Sequence, residues 1–221
     1  MTVLVVGATG QTGRHIVREL AAKKVPVKAL VRDLDKAKEL LHAETELFVG
    51  DVLKPETLKT AIANCDSLIC ATGAAPSLNF TQPYLVDYQG TKNLVELAQE
   101  NDIKHFVIVS SLCVSKFFHP LNLFWLILWW KKQAEEYIQQ SGLTYTIVRP
   151  GGLKNEDNSD NIVMSSADTL FDGSIPRQKV AQVCVESLFQ PSAKNQIVEI
   201  VASPDAAAKS WEQLFELATS S

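Results

Sequence analysis

The chain of 221 residues has few cysteines, at positions 65, 70, 113 and 184. They form no Cys-x-x-Cys pair and no metal spacing, which excludes a disulfide scaffold and a zinc site and points to a reducing compartment, cytoplasmic or stromal. The four histidines, at 15, 42, 105 and 119, are equally scattered, so no metal is expected. Basic charge is not in excess: 21 Lys and Arg against 25 Asp and Glu give a net charge of −4. With those charges dispersed, the electrostatic footprint of a nucleic-acid binder is missing. No internal repeat, low-complexity tract or linker interrupts the chain. The first strand is predicted to begin at residue 3, so no signal or transit peptide is expected within this sequence unless one has been removed ahead of it.

What is present is an ordinary globular composition, 46% hydrophobic and 21% charged, long enough to bury one substantial core. The run Val3-Leu4-Val5-Val6-Gly7-Ala8-Thr9-Gly10-Gln11-Thr12-Gly13 stands out. An apolar strand breaks into three glycines at three-residue spacing, then into a helical pattern with Ile16, Val17, Leu20 and Ala21 on one face. A strand that turns tightly into a helix aims free N–H groups and a positive dipole end at an anion, and each glycine removes a Cβ that would collide with ligand or strand. The spacing is Gly-x-x-Gly-x-x-Gly and departs from the common Gly-x-Gly-x-x-Gly fingerprint. Dinucleotide phosphate binding by Gly7, Thr9, Gly10, Gln11, Thr12 and Gly13 is the expectation.

Strands are predicted at 2–6, 26–31, 45–49 and 66–70, alternating with helices at 12–23, 34–41 and 55–63. A helix at 84–101, a strand at 106–109, a long helix at 120–141 and a strand at 145–148 continue the series. A strand near 162–165, a helix at 177–189 and a strand at 196–201 follow. This alternation predicts an α/β fold, a Rossmann-type doubly wound parallel sheet. Residues 1–221 are read as a single NAD(P)-binding domain in which 151–221 contributes a small C-terminal substrate-side lobe.

In such a fold the residue ending the second strand meets the adenosine ribose: an acid suits NAD, a base the 2′-phosphate of NADP. Arg32 stands there, nineteen residues after Gly13, with Arg14 and Lys36 able to add charge. NADP(H) is therefore favoured, and Asp33 keeps NAD(H) open. Asp51 and Val52 close the third strand beside the adenine, although Asp51 could instead cap the following turn. Ala71, Thr72 and Gly73 close the fourth strand beside the pyrophosphate and ribose.

Together with Asp87-Tyr88-Gln89-Gly90-Thr91-Lys92-Asn93, Val109-Ser110-Ser111, Lys131-x-x-x-Glu135 and Arg149-Pro150-Gly151, these residues resemble the atypical short-chain dehydrogenase/reductase superfamily. The look is that of its NAD(P)H-binding subgroup in cyanobacteria and plastids, which includes the dehydrogenase-like domain of a chloroplast inner-envelope import component. The resemblance implies that Ser111 and Lys131 are the catalytic positions, that Lys131 also holds the nicotinamide ribose, and that Pro150 lies against the cofactor. It also exposes a departure. The superfamily's usual general acid is a tyrosine four residues before the lysine, one helical turn away on the same face; here that position is Ile127, and Lys132 offers only Leu128. Tyr137 points to another part of the helix, and Tyr84 or Tyr88 would have to reach in from a neighbouring one. The expected function is thus an NADPH-dependent reductase of an apolar or conjugated acceptor that takes its proton from solvent. The alternative is a non-catalytic NADP(H)-sensing or assembly protein.

Phe117 to Trp130 holds three of the four tryptophans and ends at Lys131-Lys132. From Leu123 to Trp130 it is apolar on every face, so something must cover it. As a helix, 121–130 extends about 15 Å at about 1.5 Å per residue, against about 30 Å of hydrocarbon, and cannot span a bilayer. Three coverings compete: the C-terminal lobe, which would also make a greasy acceptor pocket; a homodimer or other protein partner; and a membrane surface contacted peripherally. Cys113 and His119 lie near the presumed pocket and are read as core and structural residues.

Overall fold

The computed structural model describes residues 1–73, 79–123 and 125–219. Its first half is β1 (Val3–Val6), α1 (Gln11–Ala22), β2 (Val27–Val31), α2 (Leu34–Leu40), β3 (Glu46–Val49), α3 (Lys59–Ile62), β4 (Ser67–Cys70), α4 (Gly90–Glu100) and β5 (His105–Val109). The second half is α5 (Ile127–Gln140), β6 (Tyr145–Pro150), β7 (Gly152–Lys154), β8 (Asn161–Ser166), β9 (Ser174–Pro176), α6 (Arg177–Glu186), β10 (Gln196–Ser203) and α7 (Trp211–Thr219). The main sheet has the order β3-β2-β1-β4-β5-β6-β10-β8. All pairings in it are parallel except the edge pair of β10 with β8. Reversal of strand order beside β1 opens a crevice at the strands' C-terminal ends, where a Rossmann fold takes its ligand.

Period-two alternation divides the core. Val3 and Val5 of β1 join α1, α6 and α7 on one face, where Ile16, Leu20, Val180 and Phe215 are buried. Leu4 and Val6 join α3, α4 and α5 on the other, with Ile62, Leu94 and Ile138. Both faces of the central strands are covered, which is why they read as unbroken apolar runs. Residues beyond Gly151 extend this sheet: β10 lies on β6, β8 on β10, and α7 packs over both. The β7–β9 parallel pair and α7 have no counterpart among the predicted elements.

Three predicted helices differ. The 55–63 segment is a 3-10 turn, Pro55–Thr57, followed by α3. The 84–101 helix opens with a π-helical turn, Pro83–Gln89. That wider turn brings Gly90 against Val52, so close that a Cβ on Gly90 would lie 2.7 Å from Val52 Cγ2. The 120–141 helix is broken: a 3-10 turn, Pro120–Leu123, is separated from α5 by Trp125 and Leu126 in left-handed conformation, φ 59° and 58°. Asn122 makes the break possible. Its Oδ1 accepts from the backbone N–H groups of Leu128 at 2.9 Å and Trp129 at 3.1 Å, capping α5 from six residues upstream, and its Nδ2 donates to Phe117 O at 2.8 Å.

The C-terminal segment covers the aromatic stretch only in part. Val163, Leu170 and Val201 pack with Leu112, Cys113, Val114, Ile127 and Leu128. Phe117, Leu121, Trp125 and Trp129 remain exposed, as do Leu123 at 83% and Phe118 at 97%; Phe124 lies outside the described residues. Of the three coverings that compete for this stretch, the C-terminal segment thus supplies part and leaves the rest open to a partner or a membrane surface. The broken helix turns these side chains away from the sheet. Among the described residues, no helix is long and apolar enough to cross a membrane.

One buried group gives the fold a pH dependence. His105, at the start of β5, lies with Nε2 2.8 Å from Thr146 Oγ1. The Thr146 hydroxyl spends its proton on Ala193 O at 2.7 Å, so Nε2 is the donor of the pair. Burial, with a smaller contribution from Lys194, pushes its pKa down to about 4. Below the unfolded value of about 6.5 the unfolded chain binds a proton that the folded chain refuses. This contribution is therefore complete above pH 6.5 and falls away between pH 6.5 and 4, by about 3 kcal/mol. His105→Gln is expected to flatten that part of the stability profile, measured by urea unfolding at pH 7 and 4.5.

Candidate active site at the carboxyl ends of the strands

The glycine cradle sits where β1 meets α1. Gly7 has φ +80°, and a Cβ there would lie 2.7 Å from Ala71 O; one on Gly13 would lie 2.1 Å from Gly7 O. Gly10 N donates to Gly7 O at 2.9 Å, which closes the turn. Gly10 is also the N-cap of α1, with no side-chain cap and no acidic residue in the first turn. The amides of Gln11, Thr12 and Gly13 thus open α1 toward an anion, with Thr9 half-buried and Thr12 buried beside them.

Arg32 is exposed directly after β2. Asp33 N-caps α2, its Oδ1 accepting from Lys36 N at 3.1 Å. Asp51 also caps: its Oδ1 accepts from Leu53 N at 2.9 Å while its own N–H donates to Thr57 Oγ1 at 3.0 Å. Val52 is held by Gly90 and by Asn93, whose Nδ2 donates to Val52 O at 2.8 Å. After β4, Ala71 N donates to Val6 O at 2.9 Å and Thr72 Oγ1 lies 3.1 Å from Cys70 Sγ. A Cβ on Gly73 would come within 3.9 Å of Lys131 Nζ. Residues far apart in the chain, Gly73 and Lys131, are thus brought together.

Lys131 forms a buried ion pair that the sequence reading missed. Its Nζ is 2.9 Å from Asp87 Oδ1, with the two side chains 15% and 1% exposed. Burial works to lower the Lys131 pKa, but the Asp87 carboxylate outweighs it and holds the ammonium above its ordinary value. The signal was the motif beginning at Asp87, whose other members also find partners: Thr91 Oγ1 donates to Asp87 O and Gln89 Nε2 to Asn93 Oδ1. A cavity of about 10 Å³, room for about one water, is lined by Thr72, Asp87, Thr91, Ser110, Lys131 and Ala134.

Ser111 is half-buried just beyond β5, and the next amide, Leu112 N, donates to Pro150 O at 3.0 Å, tying β5's end to β6's. Ile127, one turn before Lys131, packs on Leu112, Cys113, Val114 and Leu128, so an aliphatic side chain stands at the usual tyrosine position. The Tyr137 hydroxyl donates to Glu96 Oε1 at 3.1 Å. Tyr84 and Tyr88 pack against the Trp130 ring, centroids 4.9 and 5.8 Å apart.

Joined to Ser110 through Glu135 is a second charged centre. Arg149 on β6 is wholly buried. Its Nη2 donates to Glu135 Oε2 at 2.7 Å, and its Nη1 to Asp168 Oδ1 at 2.9 Å and Glu199 Oε1 at 3.1 Å. Ser110 Oγ donates to Glu135 Oε1. Burial opposes the guanidinium charge, yet Glu135, Asp168 and Glu199 more than compensate and raise its pKa. Glu135 and Arg149 were visible as motif members; Asp168 and Glu199 had no sequence signal.

The family described as NAD(P)H-binding matches residues 7–191. The chain is 35% identical to protein TIC 62, chloroplastic, of Pisum sativum over 96% of its own length, and spans 45% of that longer protein. It is 30% identical to sanguinarine reductase of Eschscholzia californica, covering 99% of this chain and 96% of that one. A solved structure from Bacillus halodurans, which carries the name of an NAD-dependent epimerase/dehydratase, superposes with a TM-score of 0.87 at 28% identity, covering 98% and 99% of the two chains. The Rossmann architecture, the glycine cradle and these similarities agree: the chain belongs to the NAD(P)H-binding family of atypical short-chain dehydrogenase/reductases, with relatives of plastid type.

Proposed function

We propose that this protein is an NADPH-dependent reductase of an apolar or conjugated acceptor. The observation that carries the reading is the buried Lys131–Asp87 pair beside Gly73, with Ile127 where the superfamily's proton donor stands. Gly7, Thr9, Gly10, Gln11, Thr12 and Gly13 bind the pyrophosphate. Asp51, Val52, Ala71 and Thr72 line the nucleotide's path, and Pro150 closes the nicotinamide end. Lys131 holds the nicotinamide ribose, oriented by Asp87, and Ser111 hydrogen-bonds the acceptor. The bound dinucleotide would supply hydride; with no tyrosine to deliver a proton, the acceptor is one that needs none from the protein, either a quinone or flavin, whose reduced anion is protonated by water, or a conjugated iminium, which hydride alone neutralises. The relative named sanguinarine reductase supports that class. Residues 151–221 form the acceptor-side lobe. The compartment is the cytoplasm, or the stroma in a plastid setting.

NADP(H) is favoured over NAD(H) because Asp33 is occupied in capping α2 while Arg32 is exposed at the strand end. In calorimetric titrations NADPH is expected to bind at least about tenfold tighter than NADH, about 1.4 kcal/mol, and Arg32→Ala to remove the difference. Equal binding by the unaltered protein refutes the role of Arg32, and no binding of either refutes the site. An acceptor screen with quinones, FMN and sanguinarine then tests turnover.

A second reading, a non-catalytic NADP(H)-responsive assembly protein, is favoured by the exposed patch of Phe117, Phe118, Leu121, Leu123, Trp125 and Trp129. It gains if no acceptor is reduced while the patch drives dimerisation, binding of a protein partner or membrane-surface attachment.

A further inference from the structure

Asp168 ties two loops together. Arg149 donates Nη1 to Asp168 Oδ1 at 2.9 Å, and although burial opposes it, Ser115, in the loop that follows Ser111, works with Arg149 to hold that carboxyl's pKa below its ordinary value. Glu199 of β10 fixes the backbone around it: its Oε1 accepts from Asp168 N at 2.9 Å, and its Oε2 from Thr169 N at 3.0 Å and Leu170 N at 2.7 Å. The two loops then meet directly. Cys113 Sγ donates to Phe171 O at 3.4 Å, Lys116 Nζ lies 3.6 Å over the Phe171 ring, and Leu170 packs with Leu112, Cys113 and Val114. Cys113 and Asp168, one on each loop, both hold φ 62°, a left-handed conformation that costs a non-glycine residue about 1 kcal/mol or more and persists where surrounding contacts over-determine it.

We propose that Asp168, clasped by Arg149 and Glu199, is a positioning residue that locks segment 168–171 onto loop 112–117 and so sets the wall of the acceptor pocket next to Ser111, with Phe171 as the side chain that limits acceptor size. This rests on the reductase reading. The clasp is built from residues other than those of the cofactor cradle and the Lys131–Asp87 pair, so it is expected to act on the acceptor and to leave dinucleotide binding alone. Its position explains why a buried arginine is spent here: one guanidinium reaches α5, β10 and the 168–171 loop together, which two neutral groups do not match.

The test compares Asp168→Gly, which removes the carboxylate yet tolerates the positive φ, with Asp168→Asn, which retains an acceptor oxygen and also tolerates it. With menadione as the probe acceptor, Asp168→Gly is expected to raise its KM at least fivefold, with kcat and the NADPH Kd within about twofold of the unaltered protein. Amide hydrogen exchange across 112–117 is expected to speed up at least tenfold, and Asp168→Asn to restore most of both. Unchanged exchange, or a KM that does not move in an active enzyme, overturns the clasp. A parallel loss of NADPH affinity also overturns it, since the network would then serve the cofactor. If the unaltered protein reduces neither menadione nor any other acceptor tried, the reductase reading itself fails and the acceptor role falls with it.

Discussion

Arg149→Met is expected to destabilise the protein by about 3–5 kcal/mol or more, because it strands Glu135 and Glu199, each 1% exposed, without their counter-charge. That is a large share of the 5–15 kcal/mol that holds a typical domain together, so the urea midpoint is expected to fall sharply. The loss comes from the orphaned carboxylates more than from the missing contact, and this can be separated. Combining Arg149→Met with Glu135→Gln and Glu199→Gln removes the charges together and is expected to recover much of the stability, since replacing a whole buried ionic group is often near neutral. Urea unfolding of the single and triple variants, read as midpoints at constant slope, decides it. A triple variant as unstable as the single one would show that packing around the guanidinium, and not charge compensation, is what the fold depends on.

Gly13→Ala is expected to weaken NADPH binding about a hundredfold or more. The new methyl would meet Gly7 O at 2.1 Å, Gly7 C at 2.8 Å and Ala8 Cα at 2.9 Å. All three are backbone atoms, so no rotamer change relieves the clash, and α1 must move away from β1. That motion shifts the amides of Gln11 to Gly13, whose convergence makes the anion site. Gly10→Ala is the internal comparison. Its methyl meets only Gly7 O at 3.1 Å, and a loss nearer tenfold is expected from crowding of the phosphates. Calorimetric titration with NADPH measures both. Affinity retained in Gly13→Ala, with the fold intact by circular dichroism, would place the dinucleotide somewhere other than this cradle.

Much of the fold was legible because its signals are local. β1 alternates Val3 and Val5 against Leu4 and Val6 across two covered faces, and the helices between strands repeat their apolar residues at helical spacing. The glycine triplet was equally plain, since each glycine answers to atoms within a few residues or on the adjacent strand. Local pattern failed where a distant group intervened. The apolar run from Leu121 to Trp130 carries a helical signal throughout, yet the Asn122 side chain captures the amides of Leu128 and Trp129 and starts α5 anew. Asp51 read equally well as an adenine contact or a turn cap; the bond from Leu53 N shows that the cap is made.

By itself the sequence determined the doubly wound sheet, the cradle between β1 and α1, and the absence of a tyrosine one turn before Lys131, because each depends on residue type at short spacing. Only the tertiary structure decided that Lys131 pairs with Asp87, that Arg149 collects Glu135, Asp168 and Glu199, and that the C-terminal segment leaves the aromatic stretch largely exposed. A charge can be buried only where its partners converge, and these partners stand 14 to 50 residues away along the chain. Their convergence is a property of which strands lie side by side, and β6 next to β10 is a neighbour relation made by the assembled sheet.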